Sequence, residues 1–126
     1  MRLVKQHGAA YPDSIDLNPT SEPITIYSVS DDSSNTPVSC SWYCTPQGED
    51  DASHPGSLNA PSVGGKFPLG IDPSDPVQVQ NTCSAVTGTS CTFYPAPPQF
   101  NAQPVRTRLV ATYGSQSRSL LINISN

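Results

Sequence analysis

Apolar and polar side chains alternate with a period of two along several short pieces of this chain, and turn-forming clusters separate the pieces. That alternation puts successive side chains on opposite faces of a half-buried strand. The clearest case closes the chain. In Val105–Tyr113 one face carries Val105, Leu109, Ala111 and Tyr113, and the other carries Arg106, Arg108 and Thr112. Gly114-Ser115-Gln116 then reads as a turn, since glycine accepts a positive φ without a Cβ clash. The return strand sets Leu120, Ile122 and Ile124 against Ser119, Asn123 and Ser125. Earlier strands are predicted at Ser14–Leu17, at Ile24–Val29 and over 38–44, where Val38, Cys40, Trp42 and Cys44 share a face. Weaker candidates lie at 66–71, 77–80 and 91–94. Residues 45–65 hold almost no apolar side chains and read as a long loop, a place for specific contacts.

No window shows a 3.6-residue period, and 14 prolines are scattered through the chain. Proline breaks helix interiors and is tolerated in turns and edge strands. The predicted fold is therefore all-β: an antiparallel β-sandwich of about seven strands, with Trp42, Phe93, Leu109, Ala111 and Ile122 in its core. Its 126 residues suit one domain. We divide it into an N-terminal arm, 1–13, and a sandwich domain, 14–126. Leu3, Val4 and Tyr11 give the arm too little apolar surface to fold alone, so it is expected to lie on a neighbouring subunit. The alternative is an extra edge strand on its own sandwich.

Charge narrows the partners. The net charge is −4, with only six Lys and Arg residues, whereas phosphate backbones and anionic membrane surfaces call for clustered basic side chains. Neither nucleic acid nor membrane insertion is expected. The first eight residues are basic but lead into no apolar run, so they do not read as a secretory signal.

Four cysteines, Cys40, Cys44, Cys83 and Cys91, sit in a small lysine-poor chain, which favours disulfides and an extracellular setting. Their C-x3-C and C-x7-C spacings do not match zinc knuckles. A turn at Thr87-Gly88 would set Cys83 opposite Cys91. Cys40 and Cys44 pair only if the strand between them bulges, and the crossed pairings stay open.

Catalytic patterns are absent from the sequence. His7 and His54 stand in polar segments with no nucleophile elbow beside any serine. The acidic pairs Asp31-Asp32 and Asp50-Asp51, with Asp72 and Asp75, lie among turn residues and lack the spacing of a calcium loop. No catalytic residue, metal ligand or cofactor is expected. Trp42 is in phase with apolar neighbours and reads as core; Tyr11, Tyr27 and Tyr43 are the better candidates for a surface that stacks on a sugar. Asn123-Ile124-Ser125 fits a glycosylation acceptor inside the last strand.

The order Ser41-Trp42-Tyr43, Cys91-Thr92-Phe93-Tyr94-Pro95-Ala96-Pro97, Val110-Ala111-Thr112-Tyr113-Gly114 and Leu120-Leu121-Ile122-Asn123-Ile124 resembles bacterial and phage Ig-like domains over roughly residues 14–126. The resemblance implies an immunoglobulin-like sandwich of a kind that also occurs on phage virions. The function expected is structural: a capsid decoration, tail or fibre protein acting through contacts with its own copies or with capsid or tail proteins. A cell-surface adhesin or spacer module and a carbohydrate-binding module are the alternatives, with a surface glycan as a further partner. Interface candidates are Leu3, Val4, Tyr11, Asp50 and His54.

Overall fold

The computed structural model of the chain describes residues 1–18, 21–45, 86–93 and 105–124. Among these residues there are eight strands and one 3-10 turn, Gln6–Gly8, and no α-helix. The strands are β1 (Arg2–Val4), β2 (Ser14–Leu17), β3 (Ile24–Val29), β4 (Cys40–Cys44), β5 (Val86–Gly88), β6 (Ser90–Phe93), β7 (Val105–Tyr113) and β8 (Gln116–Ile124). They form two sheets. One has the order β1-β3-β6 and the other β2-β8-β7-β4-β5. Every pairing is antiparallel except β2 with β8, which run parallel from Ser14↔Leu121 to Leu17↔Ile124. The predicted strands at 66–71 and 77–80 lie outside the described residues, as does the loop beyond Thr45.

The period-two pattern does what alternation requires. The inward side chains of both sheets meet in one buried cluster: Leu3, Ile26, Cys91 and Phe93 from the smaller sheet, and Cys40, Trp42, Cys44, Leu109, Ala111, Leu120, Ile122 and Ile124 from the larger. All five residues expected in the core are fully buried. Trp42 also satisfies its indole, whose Nε1 donates to the Gly88 carbonyl at 2.9 Å. Buried hydroxyls are partnered too. Ser28 Oγ donates to the Val38 carbonyl at 2.5 Å, and Thr107 Oγ1 donates to the Thr45 carbonyl at 2.8 Å.

The β7–β8 hairpin closes through Gly114 and Ser115, with Tyr113 opposite Gln116. Gly114 has φ +57°, so its freedom from a Cβ is what lets a two-residue loop turn the chain. Tyr113 departs from expectation: it was assigned to the inward face, yet it is 53% exposed. At the hairpin tip it has passed beyond the opposing sheet, and phase alone no longer buries it. Val110 departs the other way, buried on the outward phase between Tyr43 and Ser119.

Two larger corrections concern chain path. Residues 1–12 follow the alternative path, with an edge strand paired within the same molecule. β1 pairs with β3 from Arg2↔Val29 to Val4↔Tyr27, burying Met1, Leu3 and Val4. The chain then turns through Lys5 and Gly8 and doubles back, with Val4 bridged to Ala10 and Tyr11 N donating to the Leu3 carbonyl at 3.2 Å. An open sheet edge and three apolar side chains find their partners within one molecule. Second, Thr87-Gly88 is not a turn. β5 lies beside β4 in one sheet and β6 beside β3 in the other, and the chain changes sheet at Thr89. Cys91 thus stands beside Ile26 of β3, and Cys83 lies outside the described residues.

Candidate ligand groove

The outward phase of the smaller sheet carries Val4, Tyr27 and Val29, a small apolar floor. Two short segments rise beside it. One is the turn after β1, with Lys5, Gln6 and Gly8; the other is the 30–37 loop after β3, with Asn35 and Pro37. Together they enclose an open groove of about 460 Å³. That lies within the range of small-ligand clefts, about 300–1,000 Å³.

The loop is held from within. Asp32 Oδ1 accepts hydrogen bonds from Ser30 Oγ at 2.7 Å, from Ser34 N at 3.0 Å and from Ser34 Oγ. Ser30 N donates to the Thr36 carbonyl at 2.8 Å, and Val29 bridges to Pro37. Arg2 then clamps the loop to β1: its guanidinium donates to the Ser30 and Asp32 carbonyls, each at 3.2 Å, and to Asn35 Oδ1. Asn35 sits at φ +52°, a conformation asparagine tolerates better than most residues. Gly8, at φ +87°, closes the wall opposite; a Cβ there would stand 3.4 Å from Asn35 Nδ2. The positive φ, which side-chain-bearing residues rarely adopt, is what calls for glycine at this turn.

The polar groups around the floor are uncommitted. Among the described residues the Gln6 amide, the Asn35 Nδ2 group and the Tyr27 hydroxyl make no hydrogen bond. Among the described residues the Lys5 ammonium has no carboxylate partner; it stands over the Tyr11 ring, 5.6 Å from its centroid. Tyr11 is anchored by its hydroxyl, which donates to the Thr25 carbonyl at 3.2 Å. Burial, and then the neighbouring Tyr27, push its phenol above the ordinary range.

The other ionisable groups are occupied with the fold. Asp31 forms an ion pair with the Met1 amine at 2.5 Å, and that amine also donates to Gln116 Oε1 at 3.2 Å. The contact with the Met1 amine holds the Asp31 carboxyl below its usual value; hydrogen bonds from Ser34 and Ser30 do the same for Asp32. Both members of the Asp31-Asp32 pair are therefore engaged in turn and terminus contacts. Among the described residues no group of three or more His, Cys, Asp or Glu side chains converges. Asn123 donates from Nδ2 to Asp16 Oδ1 at 3.1 Å, which ties up the amide of the glycosylation motif.

The cysteines do not pair as expected. Cys40, Cys44 and Cys91 are buried free thiols, and Cys83 lies outside the described residues. Cys40 and Cys44 end a regular five-residue strand with Trp42 between them. Four residues of strand span about 13 Å, too far for a bridge. Cys40 Sγ instead meets the Met1 thioether at 3.1 Å. Burial pushes the Cys91 thiol up to about 12, and burial together with Cys91 raises Cys44 well above the ordinary thiol value. Neither is a ready nucleophile.

Of the interface candidates, Leu3 is buried inside the chain and so unavailable to a partner. Val4 is buried too, as the floor of the groove, and Tyr11 is partly buried against the core. Asp50 and His54 lie outside the described residues. Gln6, Gly8, Asn35 and Pro37 were not anticipated. For Asn35 and Pro37 the signal is the turn-rich run from Asp31 to Pro37, which sequence marks as a loop without saying what it faces. No family model, curated protein or solved structure matches this chain. Function is accordingly read from the groove and the fold that frames it.

Proposed function

We propose that this chain is an immunoglobulin-like β-sandwich that works by contact rather than catalysis. In this reading it is a structural or assembly protein displayed on a larger particle, with the virion surface (capsid decoration, tail or fibre) as its setting. The sheet order supports the fold assignment. β1, β3 and β6 occupy the places of strands A, B and E of an immunoglobulin domain, β4, β7 and β8 those of C, F and G, and the buried Trp42 falls on the C position. The observation that carries the functional reading is the groove. Among the described residues the three thiols are buried and Asp31 and Asp32 are engaged in terminus and turn contacts, while a preformed concavity carries donors toward solvent. Such a division suits a recognition surface on a rigid scaffold. The low charge and the Ig-like sequence pattern favour a particle surface, with further subunits of the particle as partners.

Immunogold electron microscopy of particles purified from the source material, using an antibody to this chain, tests the proposal. Label on particle surfaces is the expected result. Label confined to cell envelopes or to soluble protein overturns the virion setting.

A further inference from the structure

We propose that the groove beside β1 and β3 binds an oligosaccharide, with acidic sugars preferred. This rests on the reading of the chain as a displayed contact protein and names what that surface contacts. The floor is apolar and partly aromatic: Val4, Val29, Pro37 and the Tyr27 ring. A pyranose offers the matching surface, an apolar face of C–H groups that stacks on an aromatic ring while its hydroxyls point sideways.

What stands to the sides is rich in donors. Lys5 brings three N–H groups, and the Gln6 and Asn35 amides bring two each. The Asn35 amide is oriented, because the Arg2 guanidinium takes its oxygen and leaves Nδ2 beside Gly8. The Tyr27 hydroxyl can donate or accept. Such a rim calls for a ligand dense in acceptor oxygens, and sugar hydroxyls and carboxylates supply them. An extended peptide presents backbone N–H groups as well, which this rim has few acceptors to meet. Among the described residues the groove is lined by one formal charge, the Lys5 cation, and by no carboxylate. That asymmetry selects a uronic-type sugar over a neutral one, and a single cation is too little for a polyphosphate.

Pre-organisation makes the site effective. The loop carrying Asn35 is fixed by Arg2 and Asp32, and Lys5 is held over Tyr11. Binding therefore has little ordering left to do.

The test is a titration of the intact chain, followed by NMR, with a hexamer of galacturonic acid and with maltohexaose as the neutral probe. Shifts are expected at Lys5, Gln6, Tyr27 and Asn35, with the acidic probe binding more tightly and weakening as salt is added. Tyr27→Ala is expected to weaken binding about tenfold, the equivalent of about 1.4 kcal/mol. Because Tyr27 is half-buried, two exposed variants stand beside it. Gln6→Ala lowers affinity for both probes with an unchanged melting temperature, and Lys5→Gln removes the preference for the acidic probe alone. Absence of shifts at these residues with either probe, or shifts that survive all three substitutions, overturns the assignment. Failure here with the chain still found on particles leaves the contact reading standing. Sugar binding by a chain absent from particles would instead remove the virion setting.

Discussion

Deleting residues 1–4 removes the edge strand β1 and with it three buried apolar side chains, Met1, Leu3 and Val4, at 3%, 8% and 2% exposure. Burying a side chain of this size is worth about 1.5–3 kcal/mol, so the three together contribute about 4–9 kcal/mol. Compact unfolded chains already bury part of that surface, which brings the expectation to about 3–7 kcal/mol. Domains of this size are stable by about 5–15 kcal/mol in total. The deletion also strips the cover from β3, whose backbone groups pair with β1 from Val29 to Tyr27. The truncated chain is therefore expected to melt roughly 15 °C lower, or not to fold cooperatively at all. Thermal unfolding followed by far-UV circular dichroism and by the fluorescence of the single tryptophan measures this directly. Leu3→Ala isolates the packing component, with an expected loss of about 2–4 kcal/mol. A truncated chain that melts within about 2 °C of the full one would refute the reasoning, because residues packed in a core cannot leave it without a shift.

Other outcomes follow from the same contacts. Trp42→Ala is expected to cost about 3–5 kcal/mol in urea unfolding followed by circular dichroism, since a fully buried ring and its bond to Gly88 are lost together. Cys40, Cys44 and Cys91 are expected to resist iodoacetamide in the native chain and to react in urea without reductant; reaction only after reduction would mean that a bridge exists. Gly114→Ala is expected to lower stability by about 1–2 kcal/mol although the site is open, because the strain lies in its φ of +57°. Asp31 and Asp32 have carboxyls held below the ordinary value, so their contribution is present above the unfolded-state pKa and is lost as pH falls through the folded one. Urea midpoints are expected to fall below about pH 4, with a shallower fall in Asp32→Asn.

The sheets were legible in the sequence to the extent that alternation was unbroken. β7 emerges at its full length and β8 from Ser119 on, although Gln116, read as turn, already pairs with Tyr113; the inward phase of β4 identifies Trp42 as core, because a period of two leaves no choice of face once one face is apolar. Legibility failed where a residue's environment is set by something distant along the chain. Leu3 and Val4 carry no pattern long enough to show which surface buries them, and the answer lies with Tyr27 and Ser28. Thr87-Gly88 has the composition of a turn, yet Gly88 and Thr87 pair with Cys40 and Ser41. Local preference there gives way to the sheet, as often happens in short strands. The cysteines misled for a similar reason. Their even number suggests bridges, but two of the four lie along one strand, where geometry keeps them apart.

The groove is the extreme case of this non-locality, and it shows why a contact surface can be well formed while leaving no motif. Its floor comes from β1 and β3, one wall from the turn that follows β1, and the other from the loop that follows β3. Each segment is ordinary by itself. What makes them a site is the β1–β3 pairing, beside which the turn after β1 and the loop after β3 line one groove, and Arg2, which reaches from β1 to hold Asn35. The N-terminal strand thus has two consequences from one register. Leu3 points inward and completes the core, while Arg2 and Val4 point outward and build the groove. A shift of one residue in that register would exchange the two faces, burying a guanidinium and exposing a leucine. The energetic cost of that exchange is what fixes the groove in place, so the stability of the fold and the shape of the groove depend on the same three residues.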